Sequence, residues 1–280
     1  MSIFEFDELS IYRGRDVQIT NKITIIQPTI SQIEEFGEKN YFNAVHTLTS
    51  VGADLKWQLW DFYQIDYTKI SDYDLFVKFT YQLISSKKRL YNELLKYPEK
   101  YENELSSLSK NDIDKMLINP LELILKNIDL ADFTPMKLKN NTDSEEIILY
   151  DIENDITIDR FVYMQIVDAV RNIHGLKRNN QIPANERTKR DLIDDARDEA
   201  ILSAKTPYKS ILKPLVSTLS VYCGQCGDEK IWNMPISMFL DSIKRINKIQ
   251  DSNALLQGAY SGFSNLKGID KSRLDMFNDI

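Results

Sequence analysis

The spacing of apolar residues along this chain predicts a mainly α protein. The clearest pattern lies in RFVYMQIVDAVRNIHG, where four apolar residues recur at intervals of four, four and three: Val162, Ile166, Val170 and Ile173. This is the period of a helix with one buried face. Asp159 is placed to begin the helix and Gly175 to end it. The last third of the chain alternates charged and apolar segments of the same period, so it is also predicted to be helical.

Two aromatic-rich segments between residues 53 and 95 have the helical period as well. In ADLKWQLWDFYQ, Leu55, Leu59 and Phe62 fall on one stripe, which Trp57 and Trp60 widen. In SDYDLFVKFTYQLISSKKRLYNELL nearly the same period joins five residues: Phe76, Phe79, Leu83, Leu90 and Leu94. We expect both stripes to be mostly core, with part of this surface open to a partner helix.

Two short segments have the composition of β-hairpins. Within residues 1–27, IYRGRDVQITNKITIIQP places β-branched residues, including Ile11, on both sides of the turn TNK. Within residues 145–158, EEIILYDIENDITI does the same around a turn rich in Asp and Asn. After Pro28, either Thr29 or Ser31 can cap a helix, and Glu34 would complete a capping box with Ser31.

These patterns together predict an α+β fold, mainly α with two small β-hairpins, in one irregular helical domain that spans residues 1–280. The polar residues 97–119 are expected to form a mobile insertion within it.

Composition and charge narrow the class of protein. The chain of 280 residues is 42% hydrophobic and 28% charged, with a net charge of −7, which is typical of a folded protein that repels nucleic acid. Its best basic cluster, HGLKRNNQIPANERTKRD, has no aromatic residues between the charges and is expected to be a solvated connection between helices. No apolar run approaches the roughly 20 residues that span a bilayer. We expect a protein that stays in the cytosol where it is made, with no membrane and no nucleic acid as partner.

The motif CGQC, with Cys223 and Cys226, could be a redox dithiol, half of a zinc site or a turn. A zinc site would need both cysteines and both histidines of the chain, His46 and His174, which are far apart in the sequence. Helical patterns flank the motif, whereas a thioredoxin-like dithiol sits where a strand meets a helix. A turn between two helices is therefore the favoured interpretation, with a packed or capping role for each histidine.

The segment DLIDDARDE carries four aspartates on one face of a predicted helix: Asp191, Asp194, Asp195 and Asp198. Such a face could bind Mg²⁺, so a metal-dependent enzyme is one alternative. Arg190 and Arg197 stand on either side of Asp194 and Asp195 in the sequence and can neutralise them. The sequence also holds no P-loop, no zinc-protease motif and no nucleophile elbow. We therefore expect a solvated helix face, no catalytic residue, no resident metal and no cofactor.

Four longer blocks resemble a protein family of phages and prophages of low-GC Gram-positive bacteria. They are IYRGRDVQITNKITIIQPTISQIEEFGEKNYF, DLKWQLWDFYQIDYTKISDYDLF, IHGLKRNNQIPANERTKRDLIDDARDEA and MFLDSIKRINKIQDSNALLQGAYSGFSNLKGID. The resemblance covers nearly the whole chain, in order, and is weakest over Tyr97 to Pro135. The family consists of tail assembly chaperones of long-tailed phages.

The resemblance implies a partner and a role. The partner is the phage tape measure protein, which the chaperone would keep soluble until the tail tube assembles; the tail tube protein and a second copy of the chain are further candidates. For the contact surface we select exposed aromatic residues: Trp57, Trp60, Tyr63, Tyr67, Tyr260 and Phe263. A structural virion component, such as a connector or baseplate subunit, is the main alternative.

Overall fold

The computed structural model describes residues 4–101, 106, 108–139, 145–224, 229–262 and 269–278. It is 58% helical with two small antiparallel sheets, so the predicted fold class is confirmed. The helices described are α1 (Glu8–Tyr12), α2 (Ile30–Phe36), α3 (Glu38–Thr49), α4 (Lys56–Tyr63), α5 (Asp72–Leu75), α6 (Tyr81–Lys96), α7 (Lys110–Leu117), α8 (Arg160–His174), α9 (Glu186–Lys205), α10 (Leu212–Tyr222), α11 (Glu229–Trp232) and α12 (Ile236–Tyr260).

The N-terminal hairpin is shorter than the sequence predicts. Strands β1 (Val17–Gln18) and β2 (Thr24–Ile25) pair antiparallel, but Ile11 lies in α1 and not in a strand. The side chain of Asp7 accepts hydrogen bonds from two backbone N–H groups of α1, and this cap favours a helix there.

The capping box of α2 uses Thr29, not Ser31, because the third helical residue after it, Gln32, returns the second hydrogen bond.

The second sheet has three strands, one more than predicted. Strands β4 (Glu145–Asp151) and β5 (Ile156–Ile158) form the predicted hairpin, and the Asp151 carboxylate holds its turn through two backbone N–H groups. Strand β3 (Thr134–Lys139) pairs with the other edge of β4. The sequence did not predict β3, because its apolar residues Met136 and Leu138 face solvent and Pro135 is a poor strand residue.

Helix α8 lies at the centre of the main core. Asp159 caps it and Gly175 ends it with a left-handed backbone (φ 58°), as the sequence predicts. Ile166, Val170 and Ile173 are buried along the predicted stripe.

A second, smaller core joins α4 to α9. Its buried residues are Val51, Ala53, Leu59, Tyr67, Leu75 and Ile193. It is this core that holds α4 in place at the surface. The prediction of a single domain stays a prediction.

One turn of π-helix, Phe76–Thr80, connects α5 to α6. The N–H of Tyr81 donates to the carbonyl oxygen of Phe76, five residues back rather than four. One extra residue in the turn rotates everything after it by about 100° relative to a continuous α-helix. Phe76 and Tyr81 consequently share the buried face, with ring centroids 6.4 Å apart.

The polar stretch 97–119 contains a helix in its described part. Ser109 and Asp112 form a capping box at the start of α7, which packs against α6. That this stretch is mobile stays a prediction. In the part of the chain that the structure describes, no helix has both the length and the apolar character to cross a membrane.

His174 is buried between α8 and α3. Its Nδ1 lies 2.7 Å from the carbonyl oxygen of Val170, and its Nε2 lies 2.7 Å from the hydroxyl oxygen of Tyr41. Because a carbonyl can only accept, Nδ1 carries the proton and Nε2 accepts from the tyrosine. Burial lowers the pKa of His174 to about 4, against the hydrogen bond to Val170, which raises it. The predicted packed role of this histidine is confirmed.

We predict that His174 makes the protein less stable in acid. Its pKa is near 6.5 when unfolded and about 4 when folded, so below pH 6.5 the unfolded chain binds the proton first. The free energy of unfolding should fall as the pH drops from 6.5 to 4, by on the order of 3 kcal/mol, since each pKa unit corresponds to about 1.4 kcal/mol. Urea unfolding across this range measures it.

His174→Gln should flatten that dependence, because the variant has no imidazole at this buried position. Equal pH slopes for wild type and His174→Gln would show that burial does not hold this imidazole neutral.

Candidate partner-binding surface

An aromatic cluster lies at the end of α4. The ring centroids of Trp57 and Phe62 are 5.5 Å apart, those of Phe62 and Tyr63 6.4 Å, and those of Tyr63 and Phe79 4.4 Å. Gln64 ends the helix with a left-handed backbone (φ 56°), which places Phe62 and Tyr63 on its last turn. The cluster therefore reaches from α4 to the π-helical turn that begins α6.

A row of exposed apolar residues continues from this cluster along α6. Leu83 follows Phe79 by four residues, and Leu90 and Tyr97 follow at intervals of seven, so all lie close to one face. Together with two residues of α4 they form what we call the α6 ridge: Phe62, Tyr63, Leu83, Leu90 and Tyr97. Each ridge residue keeps between 49% and 67% of its surface exposed. The row on α6 is about 21 Å long at 1.5 Å per residue.

Ion pairs hold α9 against α4 beside the ridge. Arg197 donates to both carboxylate oxygens of Asp61, at 2.7 and 2.8 Å, and to Asp194 at 2.6 Å. Lys189 lies 2.9 Å from Asp66. Burial on its own would raise the pKa of Asp66, but hydrogen bonds from Lys189 and Thr68 outweigh it and lower the pKa to about 2. The aromatic cluster is thus presented by a fixed helix.

The structure separates the six residues that the sequence selects for partner binding. Trp57, Trp60 and Tyr63 lie together on α4, with Trp60 and Tyr63 exposed and Trp57 partly covered. Tyr67 is only 3% exposed and belongs to the smaller core, so its selection as an exposed residue is wrong. The loop after α4 folds back under the helix and carries Tyr67 into this core.

The other two residues lie elsewhere. Tyr260, at the end of α12, is 88% exposed, and the described residues show no ring contact between it and the aromatic cluster. Phe263 lies outside the described residues.

The sequence missed Phe62, Leu83 and Leu90, which its regular period places in the core. The π-helical turn shifts the buried face at the start of α6 to Tyr81, Ile84 and Ser85, which leaves Leu83 exposed. Near the end of the helix Leu94 is buried, as the predicted stripe has it, whereas Leu90 is exposed. No signal in the sequence marks this extra residue.

The aspartate-rich face of α9 is solvated and partly paired. Arg197 neutralises Asp194 within the helix, as expected, whereas Arg190 makes no such pair in the described ranges. Among the residues that the structure describes, no three or more His, Cys, Asp or Glu side chains are grouped so as to hold a metal ion. A metal-dependent enzyme stays an alternative interpretation of the chain.

Of the two remaining motifs, the basic stretch lies only partly in the predicted connection between helices, because Arg187, Lys189 and Arg190 belong to α9. Cys223 is exposed at the end of α10, and Cys226 lies outside the described residues. In the basic stretch, Arg178 lies before α9 and binds both oxygens of Asp72 at 2.8 Å, whereas Lys189 lies within α9 and binds Asp66. Part of this positive charge is therefore neutralised by ion pairs within the protein.

Comparison of the chain with protein-family models, with curated proteins and with solved structures found no match in any of the three. A function can consequently be proposed only from the α6 ridge and from the resemblance of the four sequence blocks.

We predict that the exposed and buried residues of α6 respond oppositely to truncation. Leu83→Ser removes a side chain that is mostly in solvent and should change the free energy of unfolding by at most about 0.5 kcal/mol. Ile84→Ala, one residue along, creates a cavity in the main core and should cost about 2–4 kcal/mol. Chemical denaturation of both variants measures this, and a cost for Leu83→Ser equal to that for Ile84→Ala would mean that the ridge is part of the core.

Proposed function

We propose that this protein is a tail assembly chaperone that binds the tape measure protein of a long-tailed phage and keeps it soluble until the tail tube forms. The observation that carries the proposal is the α6 ridge, a row of five apolar residues that each keep between 49% and 67% of their surface exposed. Contiguous exposed apolar surface on a soluble protein is typical of a binding site. The resemblance of the four sequence blocks supplies the identity of the client.

The shape of the ridge favours a helical client. A row of side chains spaced by seven residues matches the apolar stripe of an amphipathic helix laid along it. A tape measure protein is a long, largely helical chain whose apolar stripes would otherwise associate with one another. Covering those stripes is the task that the ridge can perform, and the net charge of −7 keeps the resulting complex soluble.

The expected affinity suits a client that must later be released. Fully burying a Leu or Phe side chain is worth about 1.5–3 kcal/mol, so five half-exposed residues supply about 5 kcal/mol in total. If the entropy lost on association is not subtracted, a binding free energy of about 5 kcal/mol corresponds to a Kd of roughly 200 µM. A long client with several such segments would be held by many weak contacts, each open to displacement by tube subunits.

Co-expression with the proposed client, the tape measure protein, tests the proposal. The client should become soluble and copurify with the wild-type chain. Leu83→Glu with Leu90→Glu should lower the soluble client several-fold, because two charges then interrupt the apolar row. Ile152→Glu with Ile182→Glu is the matched control, since both isoleucines are exposed and lie outside the ridge.

No complex and no gain in client solubility with the wild-type chain would contradict the proposal. Mass spectrometry of purified particles separates it from a structural role. A chaperone should be absent from the particles, whereas a connector or baseplate subunit would be present in fixed stoichiometry.

A further inference from the structure

The charges along the α6 ridge are mainly positive, although the protein is acidic. Residues 81–97 contain four basic residues and one acidic residue, Glu93. Lys88 and Arg89 are directed inward, where Lys88 binds Asp129 at 2.8 Å and Arg89 donates to the carbonyl oxygen of Phe133. Lys87 and Lys96 are exposed and accompany the ridge.

These two lysines lie where a docked helix would meet them. Lys87 is four residues after Leu83 and three before Leu90, so it stands beside the row. The ammonium nitrogen of Lys96 lies 5.5 Å from the centroid of the Tyr97 ring. If Leu83, Leu90 and Tyr97 are assigned to position a of a heptad, Lys87 is at e and Lys96 at g, the positions that select a partner by charge.

The same charges disfavour a second copy of this chain as the occupant. In an antiparallel pair of α6 helices, e positions face e positions and g positions face g positions, so Lys96 at g would meet Arg89 at g of the second copy, whereas Lys87 at e would meet Leu94. Glu93 falls at position d, between the two flanks. Like charges placed opposite each other at an interface oppose association.

From this arrangement we infer that the α6 ridge selects amphipathic helices whose apolar stripe is flanked by Asp and Glu. The inference rests on the proposed function and specifies the client segment: the chaperone would bind acidic-flanked helical segments of its client at this ridge. The overall charge of −7 would by itself favour a basic client, so the local and the global charge lead to opposite expectations that an experiment can separate.

Two synthetic 28-residue helical peptides provide the probe. Both carry Leu at positions a and d, and they differ only in having Glu or Lys at every e and g. Like charges keep each peptide from pairing with itself. Titration calorimetry at 50 mM salt should show the acidic peptide binding about tenfold tighter, a ratio that corresponds to 1.4 kcal/mol. In 1 M salt, where the screening length is about 3 Å, the ratio should shrink towards one.

Charge-reversal variants locate the effect. Lys87→Glu with Lys96→Glu should remove or reverse the preference for the acidic peptide. Lys205→Glu with Lys213→Glu changes the net charge equally at exposed sites on α9 and α10 and should retain the preference. Circular dichroism establishes that each variant is folded before it is titrated.

Three results would overturn the inference. The first is equal or tighter binding of the basic peptide, and the second is no binding of either peptide at 1 mM. The third is a wild-type dimer that Leu90→Glu dissociates, since a second copy would then occupy the ridge. If the inference fails while co-expression still solubilises the client, the chaperone function stands and only the charge preference is lost.

Discussion

The hydrogen bond from the Tyr81 N–H to the carbonyl oxygen of Phe76 determines which face of α6 is buried. It closes one π-helical turn, and the extra residue carries Tyr81 and Ile84 into the core, where the Tyr81 hydroxyl donates to the carbonyl oxygen of Phe133. Leu83 is turned towards solvent by the same rotation. Single π-helical turns of this kind are frequent at functional sites, and this one contributes Leu83 to the apolar surface on which the proposed function depends.

The surroundings of the ridge explain how an apolar surface can persist on a folded protein. Phe76 stacks on Tyr163 of α8 with ring centroids 4.3 Å apart, which anchors the π-helical turn in the main core. On the other side, Asp61 and Arg197 join α4 to α9. The ridge is therefore supported on both sides by packed elements, and a partner can bind it without a large loss of conformational entropy.

Much of the fold could be predicted from the sequence, because its signals are local. Asp159 and Gly175 mark both ends of α8, and the turn rich in Asp and Asn marks the β4–β5 hairpin. Strand β3 could not be predicted, since it is stabilised by its partner β4 and its own apolar residues face outward. Of the residues selected for the candidate surface, Trp60 and Tyr63 are exposed as expected, whereas Tyr67 is buried by a loop that folds back. Leu83 was missed because the shift of helical phase depends on tertiary packing.

The central claim is that the α6 ridge is open in the free protein and covered when a client is bound. Hydroxyl-radical footprinting of the protein, alone and in complex with its client, tests this at single side chains. In the free protein Leu83 and Leu90 should be oxidised much faster than their buried neighbour Ile84, and on binding they should be protected while Ile182 is unaffected. Unchanged oxidation of both leucines in a client complex, with protection at Tyr260 instead, would contradict the account.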